Sequence, residues 1–204
     1  GYSADGGRGV TASPRELHLH VGLPKTGTTA IQAGLHANRE ALAEAGFHLA
    51  PMHDRSGAHH ALAQILAREG AAAMLRPLAA GPPKQIVSSE IFGVLFAKRP
   101  ERLEELLNLL EGRLHLHLAL RRWDAFVDSL AAQLVRNHFA GWRPVPPPSQ
   151  KVTLGPGGEL GPELPARLLG MVETVIARQG PGSVHVWVYP EGGRKNALGS
   201  FLSG

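Results

Sequence analysis

The sequence predicts an α/β protein with three layers, in which a parallel sheet of about four to five strands is flanked by helices on both faces. Three observations predict it. Short stretches alternate apolar and polar residues with the strand period, as in Leu17, Leu19 and Val21 or in Arg113–Leu120. Between them lie longer stretches whose apolar residues recur at helical spacing, so strand and helix alternate along the chain. Gly and Pro punctuate the joints, at Gly46, Gly81-Pro-Pro83 and Gly180-Pro-Gly182. Such alternation calls for right-handed crossovers and therefore for parallel strands.

A chain of 204 residues is ample for one domain with a real core, and the domain is expected over residues 14–204. Residues 1–13, rich in Gly, Ser and Asp and without an apolar centre, read as a flexible tail. A hydrophobic fraction of 43% with 19% charged residues is that of a globular protein, and no apolar run approaches the length of a membrane span. The absence of cysteine removes disulfides, thiolate nucleophiles and Cys-based zinc sites together; the expected compartment is the cytoplasm. The net charge of +4 favours anionic ligands. Its basic residues are scattered without interleaved aromatics, so a phosphorylated cofactor is expected rather than nucleic acid.

In order, Leu17–Gln32 reads as a buried strand, a tight Gly/Pro turn and the opening of a helix, which runs from Thr28 to about Ala45 on Ile31, Leu35 and Leu42 and stops at Gly46. A polar connection over Pro51–Gly57 precedes a helix from about His59 to Leu75. Gln85–Phe92 reads as a β-branched strand whose end releases Ser88, Ser89 and Glu90, and a Leu-rich helix follows from about Pro100 to Leu110. Arg113–Leu120 alternates as the next strand and leads into a helix that ends near Phe139, with Asp124 as its N-cap. Residues 141–162, dense in Pro and Gly and free of periodicity, are expected to form an irregular loop. Glu163 to about Gln179 reads as the last long helix and Val184–Tyr189 as the last strand.

The chemistry concentrates at the first strand–helix joint, Pro24-Lys-Thr-Gly-Thr-Thr29. A helix opening at Thr28 and Thr29 presents unpaired backbone N–H groups and the positive end of its dipole, which is a ready anion site. Gly22 and Gly27 let the backbone curl close to a ligand, and Lys25 adds a mobile positive charge. Because Lys25 precedes Gly27, this is not the Gly-Lys-Ser/Thr ending of an ATPase loop.

The hexapeptide instead resembles the 5′-phosphosulfate loop of sulfotransferases that use 3′-phosphoadenosine-5′-phosphosulfate (PAPS). The likeness extends through Ile31-Gln32 and the Asn38–Gly46 stretch to the bacterial sulfotransferase-like family. The resemblance implies a P-loop-related fold and PAPS as cofactor, with 3′,5′-ADP as product. It also implies cofactor binding by Pro24, Lys25, Thr26, Gly27, Thr28 and Thr29, and transfer of a sulfuryl group to a hydroxyl or amine of a small-molecule or carbohydrate acceptor. Leu120–Ser129 is similar to the family's 3′-phosphate clamp, an arginine at a strand end and a serine eight residues later. That spacing selects Arg121 and Ser129. Near the carboxyl end, Arg194-Lys-Asn-Ala-Leu-Gly199 resembles both the Arg-Lys-Gly-x-x-Gly loop of cytosolic sulfotransferases, with Asn196 for the first glycine, and the plain terminal helix of the bacterial family.

Sulfuryl transfer needs positive charge on the leaving phosphate, which Lys25 supplies, and a base for the acceptor. Glu90 leads for that role, since it ends a core strand on the side where the first loop opens; as a structural residue it would cap a helix or pair with an arginine. His59 and His60 follow, because imidazoles exchange protons near neutral pH. His18, His20, His115 and His117 alternate on strands, so each pair shares one sheet face. With no Asp, Glu or Cys joining them, and no metal needed for transfer from PAPS, no metal is expected. Two rival readings keep the anion loop but not the transfer: a P-loop small-molecule kinase needing Mg²⁺ and ATP, and a non-catalytic nucleotide-binding module.

Overall fold

The computed structural model describes residues 14–23, 26–120 and 164–188. They form five parallel strands, β1 (Glu16–His20), β2 (His48–Leu49), β3 (Lys84–Ser88), β4 (Arg113–Leu120) and β5 (Val184–Val188), in the order β2-β3-β1-β4-β5. The helices are α1 (Thr28–Ala37), α2 (Arg39–Glu44), α3 (His60–Glu69), α4 (Ala71–Leu75), α5 (Glu90–Lys98), α6 (Glu101–Leu109) and α7 (Leu164–Gln179), with short 3₁₀ turns at Arg76–Leu78 and Pro181–Ser183. The α/β class and the all-parallel sheet expected from the alternation are therefore present. No helix among these residues is long and apolar enough to cross a membrane.

The pleat divides the sheet into two unlike faces. On one, Leu17, Leu19, Val21, Val87, Leu114, Leu116 and Leu118 meet Leu62, Leu66, Met74, Phe92, Phe96, Leu103, Leu106, Met171 and Val175 from α3 through α7 in one continuous core. Each such side chain, fully buried, contributes roughly 1.5–3 kcal/mol relative to exposure, so this face carries most of the hydrophobic stabilisation. On the other, a smaller cluster of Ile31, Leu35, Ile86 and Ala119, joined by Leu42, Phe47, Leu49 and Trp187, seats α1 and α2. Imidazoles fill the rest of the second face.

Several boundaries differ from the sequence reading for local reasons. The first helix ends at Ala37, where the Asn38 side chain donates to the Gly34 carbonyl at 2.8 Å and a new short helix begins. The helix expected over His59–Leu75 breaks at Gly70, whose φ of 95° no L side chain adopts comfortably. The strand expected to reach Phe92 stops at Ser88, because Ser89 takes extended backbone and accepts from Ile91 N at 3.2 Å, capping α5. Phe92, Leu95 and Phe96 then fall on one helical stripe facing the core. Two-residue β2, attached through Ala50 N to Ile86 O at 2.9 Å, was not anticipated. The tail over 1–13, the helix expected from Asp124 to Phe139, the 141–162 loop and everything after Val188 lie outside the described residues.

Candidate functional site

β1 is the central strand, and its carboxyl end opens into the loop that precedes α1. In open α/β sheets the crevice outside the carboxyl ends of the strands is where ligands bind. Gly27 turns the chain with φ 81° immediately before the first helical residue, Thr28. Ala30 N and Ile31 N return to the Gly27 carbonyl at 2.9 and 3.1 Å, while the N–H groups of Thr28 and Thr29 have no intrahelical acceptor to reach. The ten-residue helix thus presents the positive end of its dipole to the crevice.

The hydroxyls divide between inside and outside. Thr26 Oγ1 donates to the Leu23 carbonyl at 2.6 Å, and Thr28 Oγ1 reaches the same carbonyl at 3.3 Å. Both threonines are buried, so they shape the loop from within. Thr29, one residue further along the helix start, is exposed. A Cβ built on Gly22 would stand 2.7 Å from Thr28 Oγ1, 3.0 Å from His20 Nε2 and 3.2 Å from Thr26 Oγ1. Glycine is required at this position because three side chains close over its α-carbon.

Glu90 is the first residue of α5. Its Oε2 accepts from Gln32 Nε2 of α1 at 3.3 Å, and its Oε1 stands 3.9 Å from His60 Nε2 at the start of α3. The other His60 nitrogen, Nδ1, is 2.8 Å from Ser89 Oγ. That oxygen already accepts from Ile91 N, so its own proton is available to His60 Nδ1. In this arrangement His60 carries its ring proton on Nε2, the nitrogen that faces Glu90. About a third of each of these two side chains is exposed, 32% for Glu90 and 36% for His60, so both can meet an acceptor from solvent.

His59 is turned the other way. It is wholly buried, its Nδ1 accepts from Ser88 N at 3.1 Å, and its Nε2 therefore donates to the Ala50 carbonyl at 3.0 Å. Burial pushes its pKa from 6.5 down to about 4, against the pull of these two hydrogen bonds. With both nitrogens committed to backbone, the neutral ring ties β2 and β3 together. The adjoining turn is held by Asp54, whose Oδ1 accepts from Ser56 N, Ser56 Oγ and Ala58 N at 2.8, 2.6 and 3.1 Å. The Ser56 hydroxyl is the main reason the Asp54 carboxyl sits below its ordinary range.

Of the residues singled out in the sequence, the structure places Thr26, Gly27, Thr28 and Thr29 at the start of α1 and brings Glu90 with His60 to Gln32 of the same helix, and it removes His59 from contact with any acceptor. Pro24, Lys25, Arg121 and Ser129 lie outside the described residues. Gln32 and Ser89 were missed as parts of this arrangement. A buried glutamine one turn after Thr28 on an otherwise apolar stripe was the available signal for the first, and the Ser-Glu pair before a helical stripe for the second.

The second sheet face carries a ladder of imidazoles. His18 stacks on His115 with ring centroids 4.5 Å apart, His117 stacks on His185 at 4.6 Å, and His18 Nδ1 lies 2.9 Å from His117 Nε2. His20, at the upper end, bonds Ser88 Oγ through Nδ1 at 2.8 Å. Burial holds His18 and His20 at about 4 and His117 at about 2, and it lowers His115 as well, so these four rings are neutral at pH 7. The expectation that no acidic residue joins these histidines is corrected: Glu16, two residues before His18 on the same pleat, stands beside them, with Oε2 3.6 Å from His18 Nε2.

No protein-family model, curated protein or solved structure matches the chain.

Proposed function

We propose that the chain is a sulfotransferase that moves a sulfuryl group from PAPS to a hydroxyl or amine of a small-molecule or carbohydrate acceptor. The observation that carries this reading is a helix start, turned by Gly27 and closed over Gly22, that is linked through Gln32 to the partly exposed Glu90–His60 pair. The loop supplies what a 5′-phosphosulfate needs: backbone N–H groups, a helix dipole and the hydroxyl of the exposed Thr29. The order Pro-Lys-Thr-Gly-Thr-Thr, which resembles the sulfotransferase loop and departs from the ATPase form, selects phosphosulfate over a nucleoside triphosphate.

In the transfer, the acceptor oxygen or nitrogen attacks sulfur, the bond from sulfur to the bridging oxygen breaks, and 3′,5′-ADP departs with the electron pair. Glu90 takes the acceptor's proton. Gln32 holds one carboxylate oxygen by donation, which leaves the other toward His60. His60, oriented by Ser89, stands 3.9 Å from that oxygen, close enough to flank the carboxylate without a direct hydrogen bond. Lys25 offsets the charge growing on the leaving phosphate, and Arg121 with Ser129 holds the 3′-phosphate, roles that rest on the family resemblance. As in phosphoryl transfer, positioning and charge neutralisation supply most of the rate.

The test is a thermal-shift comparison of 3′,5′-ADP, 5′-ADP and ATP, each with and without Mg²⁺. Ligands that bind the native state raise its stability by mass action. The reading requires a clearly larger shift with 3′,5′-ADP than with 5′-ADP in the absence of metal. Equal shifts refute it, and a shift given only by ATP with Mg²⁺ points to the kinase instead.

A further inference from the structure

We propose that Glu16, His18 and His115, at the amino-terminal edge of the sheet, form a binding site for a divalent late-transition-metal ion of the zinc class. The three residues each offer one ligand atom, and these atoms all lie within 4.8 Å of one another. The parallel register of β1 and β4 places His18 directly beside His115, and the strand period brings Glu16 onto the same face. Two imidazoles and a carboxylate with a fourth position open is a donor set that suits zinc, whereas Mg²⁺ and Ca²⁺ prefer oxygen alone.

The arrangement around His18 is what such a ligand requires. A metal-binding imidazole is normally oriented by a hydrogen bond from its other nitrogen, which fixes the tautomer. Here His18 Nδ1 lies 2.9 Å from His117 Nε2, and donation along that line leaves the His18 Nε2 lone pair pointing toward Glu16. Among the described residues that buried Nε2 has no hydrogen-bond partner, a costly state for a polar atom unless something else engages it. The Lys84 ammonium stands 3.2 Å from Glu16 Oε2, so a cation already occupies the outer side of the carboxylate. That pair is 42% and 32% exposed, and exposed pairs of this kind contribute little to stability, so a metal displaces the lysine at little cost. Ligation at about 2.0–2.1 Å brings neighbouring donor atoms to about 3.3 Å in a tetrahedral site. The stacked rings of His18 and His115, parallel within 3°, must therefore splay and close on the ion by side-chain rotation.

The site is separate from the crevice. Gly22 lies four steps along the chain from His18, roughly 13 Å at the parallel-strand rise. Sulfuryl transfer itself calls for no metal, so the ion would act by fastening the β1–β4 pair at the end remote from the chemistry. Neither conclusion depends on the identity of the nucleotide bound at the loop.

The test uses Co²⁺ as an optical probe on the full chain, with Zn²⁺ as competitor. The expected result is saturable binding of one Co²⁺ with visible d–d absorption, abolished by one equivalent of Zn²⁺ and unaffected by excess Mg²⁺. Glu16→Gln and His115→Gln, checked for folding by circular dichroism, should each weaken binding ten- to a hundredfold. His53→Gln, on an exposed turn near a different group of histidines, should bind as the parent does. Lys84→Gln should bind at least as tightly. Absence of saturable binding overturns the proposal, as does unchanged affinity in the first two variants or a loss confined to His53→Gln.

Discussion

His59 offers a sharp test of the packing reasoning, because its neutral state is built into the fold. Its ring donates to Ala50 O and accepts from Ser88 N, and burial holds its pKa near 4 against 6.5 in the unfolded chain. Below pH 6.5 the unfolded chain therefore binds a proton that the native chain refuses, so stability rises with pH across this range and is lost as pH falls from about 6.5 toward 4. At 1.36 kcal/mol per pH unit the loss from this one residue is about 2 kcal/mol at pH 5 and levels off near 3 kcal/mol below pH 4. That is a sizeable share of the ~5–15 kcal/mol that keeps a domain folded. Other groups titrate too, so the residue must be isolated by difference. His59→Gln supplies one acceptor and one donor in place of the imidazole and does not titrate. Urea unfolding of both proteins at pH 8, 6.5, 5.5 and 5 should show the parent more stable at pH 8, with the gap shrinking by about 2 kcal/mol by pH 5. A gap that stays constant within about 0.5 kcal/mol, or widens as pH falls, refutes the neutral, doubly bonded ring.

Four further outcomes follow from the site. Gly22→Ala places a methyl 2.7 Å from Thr28 Oγ1, so it should cost about 1–3 kcal/mol in thermal unfolding and abolish most of the shift given by 3′,5′-ADP. Glu90→Gln should keep nucleotide affinity near that of the parent while sulfuryl transfer falls about 10²–10⁴-fold, measured with a competent acceptor; near-full turnover would remove Glu90 from the role of base. Lys25→Ala should lower turnover much more than 3′,5′-ADP affinity, since the charge it meets grows only in the transition state. Ser89→Ala should cost about 1 kcal/mol in urea unfolding through the lost α5 cap, and it should reduce turnover as well by freeing His60.

Legibility in the sequence tracked how local each cause was. β1 and β4 were readable because apolar and polar residues alternate along them, β5 because it is a run of β-branched and aromatic residues, and α7 because Leu164, Leu168, Met171 and Val175 recur at helical spacing. Two-residue β2 has no period to read; it is a strand only because β3 lies beside it. The start of α5 was hidden in Val87-Ser-Ser-Glu-Ile-Phe92, where β-branched residues continue past the point at which Ser89 caps a helix. The turn at Gly27 into α1 was legible, being one continuous segment. The meeting of Gln32, His60 and Glu90 was not, since it depends on how α1, α3 and α5 converge. Nor does sequence separate His59 from His60. One step along a helix start rotates a side chain by about 100°, enough to send the first inward to the backbone of β2 and β3 and the second outward to Glu90.

The unequal faces of the sheet give this division a physical basis. Leucines on the α3–α7 side make a core that can carry the stability of the domain alone, and that freedom permits the other face to be polar. Burying imidazoles there is eased by the bonds they make with one another and with strand neighbours: His18 Nδ1 with His117, and His20 Nδ1 with Ser88. The same choice leaves α1 seated on a small cluster, chiefly Ile31 and Leu35 against Ile86 and Ala119. The helix whose first turn is the proposed anion site is thus the lightly anchored one. His20 reaches from the ladder to within 3.0 Å of where a Gly22 side chain would stand, so the polar face ends directly beneath the loop. The leucine core meets the same loop from the other side, through Leu23, which packs in that core while its carbonyl accepts from Thr26 and Thr28.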